Sequence, residues 1–250
     1  MNKASIDEIR HRFDNDVERF SSLETGQMTT QDAAIVLDHI ANCALRTTPE
    51  ATRLLDLGCG AGNFALKLSQ TFTFEEIALV DLSTPMLNRA VERLSAATTA
   101  RLVPQAADLR KAELPAEHYD IVVAAAVLHH LRTEEEWLDV FTKIFRSLRP
   151  GGSFWIWDLV EHDIPGVQEE MWHVYGAFLA LLRGEAYRDH VYAYIAHEDS
   201  PRSIPFQLAI LTRAGFGAVD VVHKSGCFAA LSATRNSYPR HENQVTIENY

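Results

Sequence analysis

RLLDLGCGAG, residues 53–62, decides the fold. Leu54, Leu55 and Leu57 make a short apolar strand, which runs straight into glycines at positions 58, 60 and 62. The next residues, GNFALKLSQTF (62–72), have helical patterning. A strand that ends in a glycine turn and enters a helix lets backbone approach a ligand closely, and the helix start aims free N–H groups at it. The spacing is D-x-G-x-G-x-G. It differs from the G-x-G-x-x-G of a dinucleotide pyrophosphate loop and from the G-x-x-x-x-G-K-[ST] of a P-loop. A plain strand–helix connection would not need three glycines.

The same alternation continues downstream. IALVDLS (77–83) is a second strand and PMLNRAVERLSA (85–96) its helix, with Pro85 in the first turn. RLVPQAAD (101–108) is a third strand, in which Pro104 makes an interior position uncomfortable. YDIVVAAAVLHHL (119–131) is a fourth strand running into a loop. TEEEWLDVFTKIFRSLR (133–149) is a helix that opens on Thr and acids and ends on Arg before Pro-Gly-Gly. SFWIWDLV (153–160) is a fifth strand. This repetition predicts an α/β fold with a doubly wound, mainly parallel sheet.

The flanks differ. In residues 1–48, Ile6, Ile9, Phe13, Val17 and Phe20 recur at spacings of three and four, and a second helix spans about Thr30 to Leu45 after a break at Glu24-Thr-Gly26. We assign 1–48 to an N-terminal helical cap, 49–235 to the Rossmann-like domain and 236–250 to a polar tail. Residues 161–205 interrupt the domain with aromatic-rich helical sequence, a helical lid over the substrate or else a packing or dimer face. A helix over 204–214 and a strand–turn–strand hairpin follow.

Composition narrows the function. The chain has 250 residues, 47% hydrophobic and 23% charged, with a net charge of −11, which disfavours a broad phosphate-binding face and hence nucleic acid. No apolar run approaches a membrane span, and the charged start MNKASIDEIRHRF lacks the apolar core of a secretory signal. Cys43, Cys59 and Cys227 are scattered, and no thiol has a histidine at ligand spacing, so no metal is expected and a reduced, cytoplasmic protein fits.

Around the glycine loop, Asp81 at the end of strand two is placed to accept hydrogen bonds from ribose hydroxyls, the alternative being a helix cap. Asp108-Leu109 after strand three can meet an adenine amino group. Leu82 and Met86 offer apolar faces to the ring, although Met86 also suits plain helix packing. His129 and His130 follow strand four at the carboxyl edge of the sheet, where open α/β folds bind ligands. Either can serve as a general base, or both can be loop residues that shape the turn. Asp158, Glu161 and His162 face the same edge.

LLDLGCGAGNFAL, LVDLSTPML, AADL, YDIVVAAAVLHHL and the LRPGG turn together resemble the class I S-adenosylmethionine-dependent methyltransferase superfamily over roughly residues 50–160. The resemblance implies a seven-stranded sheet with an antiparallel last strand, supplied by the hairpin at 216–234. It implies S-adenosylmethionine as cofactor and S-adenosylhomocysteine as product. Asp56, Gly58 and Gly60 would surround the methionine part, Asp81 would hold the ribose, Asp108 and Leu109 would meet the adenine, and Ala124 and Ala125 would line the end of strand four. Residues 9–30 would cover the cofactor. The activity implied is methyl transfer to a small-molecule O, N or C nucleophile.

Three alternatives stay open. An RNA-directed enzyme is opposed by the charge and by the lack of an Asn/Asp-Pro-Pro-Tyr motif after strand four. A carboxy-S-adenosylmethionine-type enzyme is raised by the flanks, which resemble that branch in Phe13-Asp-x-x-Val17 and in AGF at 214–216. It would need a cation near 207–211, where Arg202 is the candidate. A cofactor-binding regulator without catalysis is the third, and a homodimer is also left open.

Overall fold

The computed structural model describes residues 3–21 and 29–235. The break at Glu24-Thr-Gly26 and the tail 236–250 lie outside the described residues. In chain order the elements are α1 (Ile6–Asn15), α2 (Val17–Phe20), α3 (Ala33–Thr47), β1 (Arg53–Leu57), α4 (Asn63–Ser69), β2 (Glu76–Asp81) and α5 (Thr84–Ala97). Then come β3 (Arg101–Ala106), β4 (Tyr119–Ala125), a 3₁₀ turn (Leu128–His130), α6 (Glu134–Ser147) and β5 (Leu148–Leu159). The chain continues through α7 (Pro165–Arg183), α8 (Glu185–Glu198), α9 (Ile204–Ala214), β6 (Ala218–Ser225) and β7 (Phe228–Thr234).

Side-chain alternation along the strands sorts the core into two faces. Leu55, Leu57, Val122, Ala124, Phe154 and Ile156 point to one side, where they meet Trp137, Phe141 and Ile144 of α6 and Ile210 and Leu211 of α9. Leu54, Ile77, Ile121, Val123, Trp155 and Trp157 point to the other, against Ile40 of α3, Phe64 and Leu68 of α4 and Leu94 of α5. Strands buried on both faces need near-continuous apolar runs, and β1, β4 and β5 have them.

The sheet runs β3-β2-β1-β4-β5-β7-β6. β1 to β5 pair in parallel, and β7 lies antiparallel to both β5 and β6. The expected seven-stranded, doubly wound architecture is therefore present, with its single antiparallel strand last in sequence. Strand order reverses between β1 and β4, so the loops after those strands diverge and open a crevice at their carboxyl ends. Pro104 is accommodated because β3 is an edge strand, paired only with β2.

One boundary differs from expectation. The Leu148–Gly152 stretch does not end α6; it begins β5, where Leu148 pairs with Tyr119 before the register shifts to Ile121–Ser153. Arg149 precedes a proline, which disfavours helical backbone there.

Above the sheet edge, α7 and α8 form a hairpin built on Leu159, Tyr175, Leu179, Val191, Ile195 and Phe228. α1 is fastened to its far end. Ala4 N–H donates to the His197 carbonyl (2.9 Å), and Arg12 reaches the buried Glu198 carboxylate through Nε (2.8 Å) and Nη2 (2.6 Å). The start of the chain thus closes over the carboxyl ends of the strands. Among the described residues, no helix is long and apolar enough to cross a membrane.

Candidate functional site

The glycine loop is shaped by close approach on one side and open space on the other. Gly58 adopts φ +74°, and a Cβ there would stand 2.4 Å from Val127 Cγ2. Gly58 and Cys59 both donate N–H to the Val80 carbonyl (2.7 and 3.0 Å), which pins the turn to β2. At Gly60, φ is +49° and nothing lies within 4 Å of the Cβ position. Its N–H donates to Asp81 Oδ2 at 2.7 Å. The loop is held from below and bare above.

That bare surface floors an open cleft with about 1120 Å³ of free space, lined by Asp56, Gly58, Gly60, Asp81, Leu82, Met86, Asp108, Leu109 and Ala125 among others. Its lining is mostly apolar with a few converging acids, the make-up of a small-molecule site.

The acids hold this cleft in different ways. Asp56 is buried, and its Oδ2 accepts the Ala65 N–H of α4 at 3.2 Å. Burial pushes its carboxyl up to about 7. Asp81 accepts from Gly60 through one oxygen and from Ser83 N–H (2.8 Å) through the other, and burial pushes it up to about 6. Each oxygen keeps a lone pair for a ligand hydroxyl. Asp108 is engaged by Arg110, whose Nε lies 2.9 and 3.1 Å from its two oxygens. Lys143 Nζ braces the same loop by donating to the carbonyls of Leu109, Arg110 and Ala112, each at 3.0 Å.

One expected lining residue is displaced. Ala124 is fully buried in the core beside Leu57 and Ile156 and does not line the cleft. Alternation along β4 turns it to the opposite face from Ala125, which does.

Sequence reasoning missed part of the wall. Trp157, Asn63 and Arg110 line the cleft without having been singled out. Ile9, Phe13 and Phe20, which line it from the cap, fall within the stretch 9–30 that the resemblance placed over the cofactor; their helical pattern alone marks only a buried face.

A second, smaller hollow adjoins the first. It has about 590 Å³ of free space and shares Phe13, Phe20, Thr30 and Ala126 with the main cleft. Its own walls include Arg12, His129, Leu159, Tyr175, Tyr194, Asp199 and Phe228. Arg202 lines neither cavity; its guanidinium lies 4.9 Å from the centre of the Phe206 ring, and Gln207 is buried. The cation sought there for a carboxylated cofactor is therefore not at the site.

The two histidines sit between the cavities in opposite electrostatic environments. His129 Nδ1 hydrogen-bonds the Asp158 carboxylate, and its Nε2 lies 3.6 Å from Asp199 Oδ1. Although burial alone would lower its pKa, the two carboxylates win and raise it to about 9. His130 is shifted the other way, held well below the usual histidine range by burial and by the neighbouring His129 and arginines. Asp158 accepts the N–H groups of Leu128 (2.7 Å), His129 (3.1 Å) and Leu159 (2.7 Å).

Comparison with known proteins agrees with this geometry. Residues 54–152 match the profile of a family described as a methyltransferase domain. An uncharacterized methyltransferase of Mycobacterium tuberculosis is 31% identical over 121 residues, 48% of this chain and 56% of that protein. The chain thus matches little more than half the length of that relative. A demethylmenaquinone methyltransferase of Chlamydia trachomatis is 28% identical over 177 residues, covering 69% of this chain and 73% of the relative. Among solved structures, an S-adenosylmethionine-dependent methyltransferase from Mesorhizobium loti superposes with a TM-score of 0.54 at 21% identity, over 80% of this chain and all (100%) of that one.

Proposed function

We propose that this chain is a class I S-adenosylmethionine-dependent methyltransferase, a reading supported by the methyltransferase-domain match over residues 54–152, and that it transfers the methyl group of S-adenosylmethionine to a small-molecule acceptor. The observation that carries the reading is the pairing of two cavities. A glycine-floored cleft with Asp81 at its edge opens onto an aromatic-walled hollow, with Ala126 and the histidine turn between them.

S-Adenosylmethionine supplies an electrophilic methyl on a sulfonium, so the protein's part is orientation and exclusion of water. Asp81 would receive the ribose hydroxyls. Gly58 and Gly60 would lie under the methionine part, with Asp56 fixing the helix behind them. Leu82, Met86 and Leu109 would bracket the adenine, and Asp108, already held by Arg110, keeps one lone pair on Oδ2 for its amino group. Ile9, Phe13 and Phe20 shut water out from above.

The acceptor would enter the second hollow under the α7–α8 lid. Tyr175, Tyr194, Leu159 and Phe228 suit an apolar or aromatic body, and the net charge of −11 supports a small acceptor over RNA. A soluble, cytoplasmic enzyme acting without a membrane partner is part of the same proposal.

The test is release of S-adenosylhomocysteine across a panel of phenols, amines, carboxylates and activated carbon acids. Turnover with one class is expected, and none across the panel, with cofactor binding intact, would favour a regulator. Tyr194→Ala should raise the KM for that acceptor at least about tenfold while the cofactor Kd stays put; equal loss in both would remove the division between the cavities.

A further inference from the structure

The turn between the two cavities gathers three groups that hydrogen bonding inside the chain leaves unfinished. Asp199 Oδ1 and both ring nitrogens of His130 are buried and have no hydrogen-bond partner. An unpaired buried polar atom costs about 1–3 kcal/mol, and such groups are seldom left so without a role. His130 Nδ1 lies 3.4 Å from Asp199 Oδ1, and His129 Nε2 lies 3.6 Å from the same oxygen. One ligand atom from each of the three falls within 4.8 Å of the others.

The spacing has a meaning. Two nitrogens or oxygens each about 2.0–2.2 Å from one metal ion, as in zinc sites, must lie roughly 3–3.5 Å apart, whether the geometry is octahedral or tetrahedral. The two nitrogen–oxygen separations, 3.4 and 3.6 Å, are close to this, and the two imidazole nitrogens lie within 4.8 Å of each other. The surroundings are also those of a ligand set. His129 already gives its Nδ1 side to Asp158, the carboxylate–histidine arrangement that orients a metal-binding imidazole and leaves Nε2 facing inward. Asp158 is itself fixed by three backbone N–H groups. The two segments are tied together, since Ser200 N–H donates to the His129 carbonyl at 2.7 Å.

The charges allow it. Arg12 and Arg110 have carboxylates of their own, Glu198 and Asp108. Asp158 and Asp199 remain to balance a cation against the nearby Arg132 and Lys3, the latter donating its ammonium to the Asp199 carbonyl. Access exists from both sides, because His130 lines the larger cleft while His129 and Asp199 line the smaller hollow.

We propose that His129, His130 and Asp199 form a binding site for a divalent first-row transition metal, with its open coordination positions facing the acceptor hollow. Two imidazoles and one carboxylate leave vacant positions that suit zinc or ferrous iron and that water or an acceptor oxygen can fill. The site goes beyond methyl transfer; only the statement that its open positions serve an acceptor rests on the proposed function.

The experiment is calorimetric titration of the untagged, chelator-stripped full chain with Zn²⁺, without S-adenosylmethionine. One equivalent should bind, with a Kd of about 1 µM or tighter. His130→Gln and Asp199→Asn should each weaken binding by about a hundredfold or more, since even loss of an outer-shell partner costs about 10–100-fold. X-ray absorption on the wild-type complex, which needs no variant to fold, should report two imidazoles and one carboxylate at about 2.0–2.2 Å. No uptake below about 100 µM Zn²⁺, undiminished uptake in both folded variants, or a ligand shell without two imidazoles would each overturn the site. S-Adenosylhomocysteine binding, measured alongside, tells failure of this site apart from failure of the methyltransferase reading.

Discussion

Replacing Asp81 by asparagine should separate cofactor binding from stability, because the carboxylate serves one at the expense of the other. Its oxygens accept N–H groups from Gly60 at 2.7 Å and Ser83 at 2.8 Å. An amide retains one acceptor oxygen, so one of those N–H groups would face another donor, at a cost of about 1–3 kcal/mol. Opposing this is the charge. Burial, with Asp14 of α1 as a like-charged neighbour, raises the carboxyl from 3.8 to about 6. Holding it ionised at pH 8 therefore costs on the order of 3 kcal/mol, which asparagine removes. The two effects nearly cancel. With about 2–4 °C per kcal/mol in a chain of this size, Tm at pH 8 should stay within about 4 °C of wild type.

Cofactor affinity has no such compensation. Losing hydrogen bonds to a charged acceptor costs about 1.5–3 kcal/mol, so the S-adenosylhomocysteine Kd should rise about ten- to a hundredfold. The wild-type affinity should also weaken about tenfold at pH 5, one unit below the carboxyl's pKa, while the variant's should stay flat. Calorimetry from pH 5 to 8, paired with thermal melts, measures both. An unchanged Kd, or affinity and Tm falling in step, would refute the ribose contact.

Gly58→Ala combines positive φ with a Cβ 2.4 Å from Val127, so unfolding free energy should drop by about 2 kcal/mol or more and cofactor binding should weaken with it; a neutral melt would show that the loop can shift. Asp56→Asn should gain on the wild type as pH rises. The wild-type carboxyl is raised to about 7, so its contribution to stability is complete below the ordinary carboxylate range and is lost as pH rises through 7. The variant does not titrate there, so its Tm relative to wild type should improve from pH 5 to pH 8. A constant difference would remove the buried charge from the account.

The fold was legible because its signals are local. RLLDLGCGAG carries strand, turn and helix start within ten residues, and IALVDLS and SFWIWDLV carry theirs likewise. Asp81 was legible by position, since a strand next to β1 must end beside the glycine loop. Ala124 failed on a matter of parity: adjacent strand residues face opposite ways, and only one of the pair at positions 124 and 125 can reach the cleft. The end of α6 failed because Pro-Gly-Gly signals a helix stop equally well when the chain goes directly into a strand.

His129 and His130 show a different limit. As sequence they are two equivalent candidates for one base. In the fold they receive opposite environments, because Asp158 comes from β5 and Asp199 from the end of α8, and only the first histidine is flanked by both. No spacing rule connects Asp199 to the histidine turn. The link is made by the lid hairpin folding back until Ser200 meets the His129 carbonyl. The aromatic character of 161–205 was visible, but a packed hairpin needs those rings whatever it covers, so composition could not say that its last turn delivers a carboxylate. The chemistry of this site therefore belongs to the insertion as much as to the Rossmann-like frame. On the proposed reading the frame holds the cofactor with local motifs and the insertion closes the acceptor side with distant ones, so acceptor choice should follow the insertion when lids are exchanged between relatives.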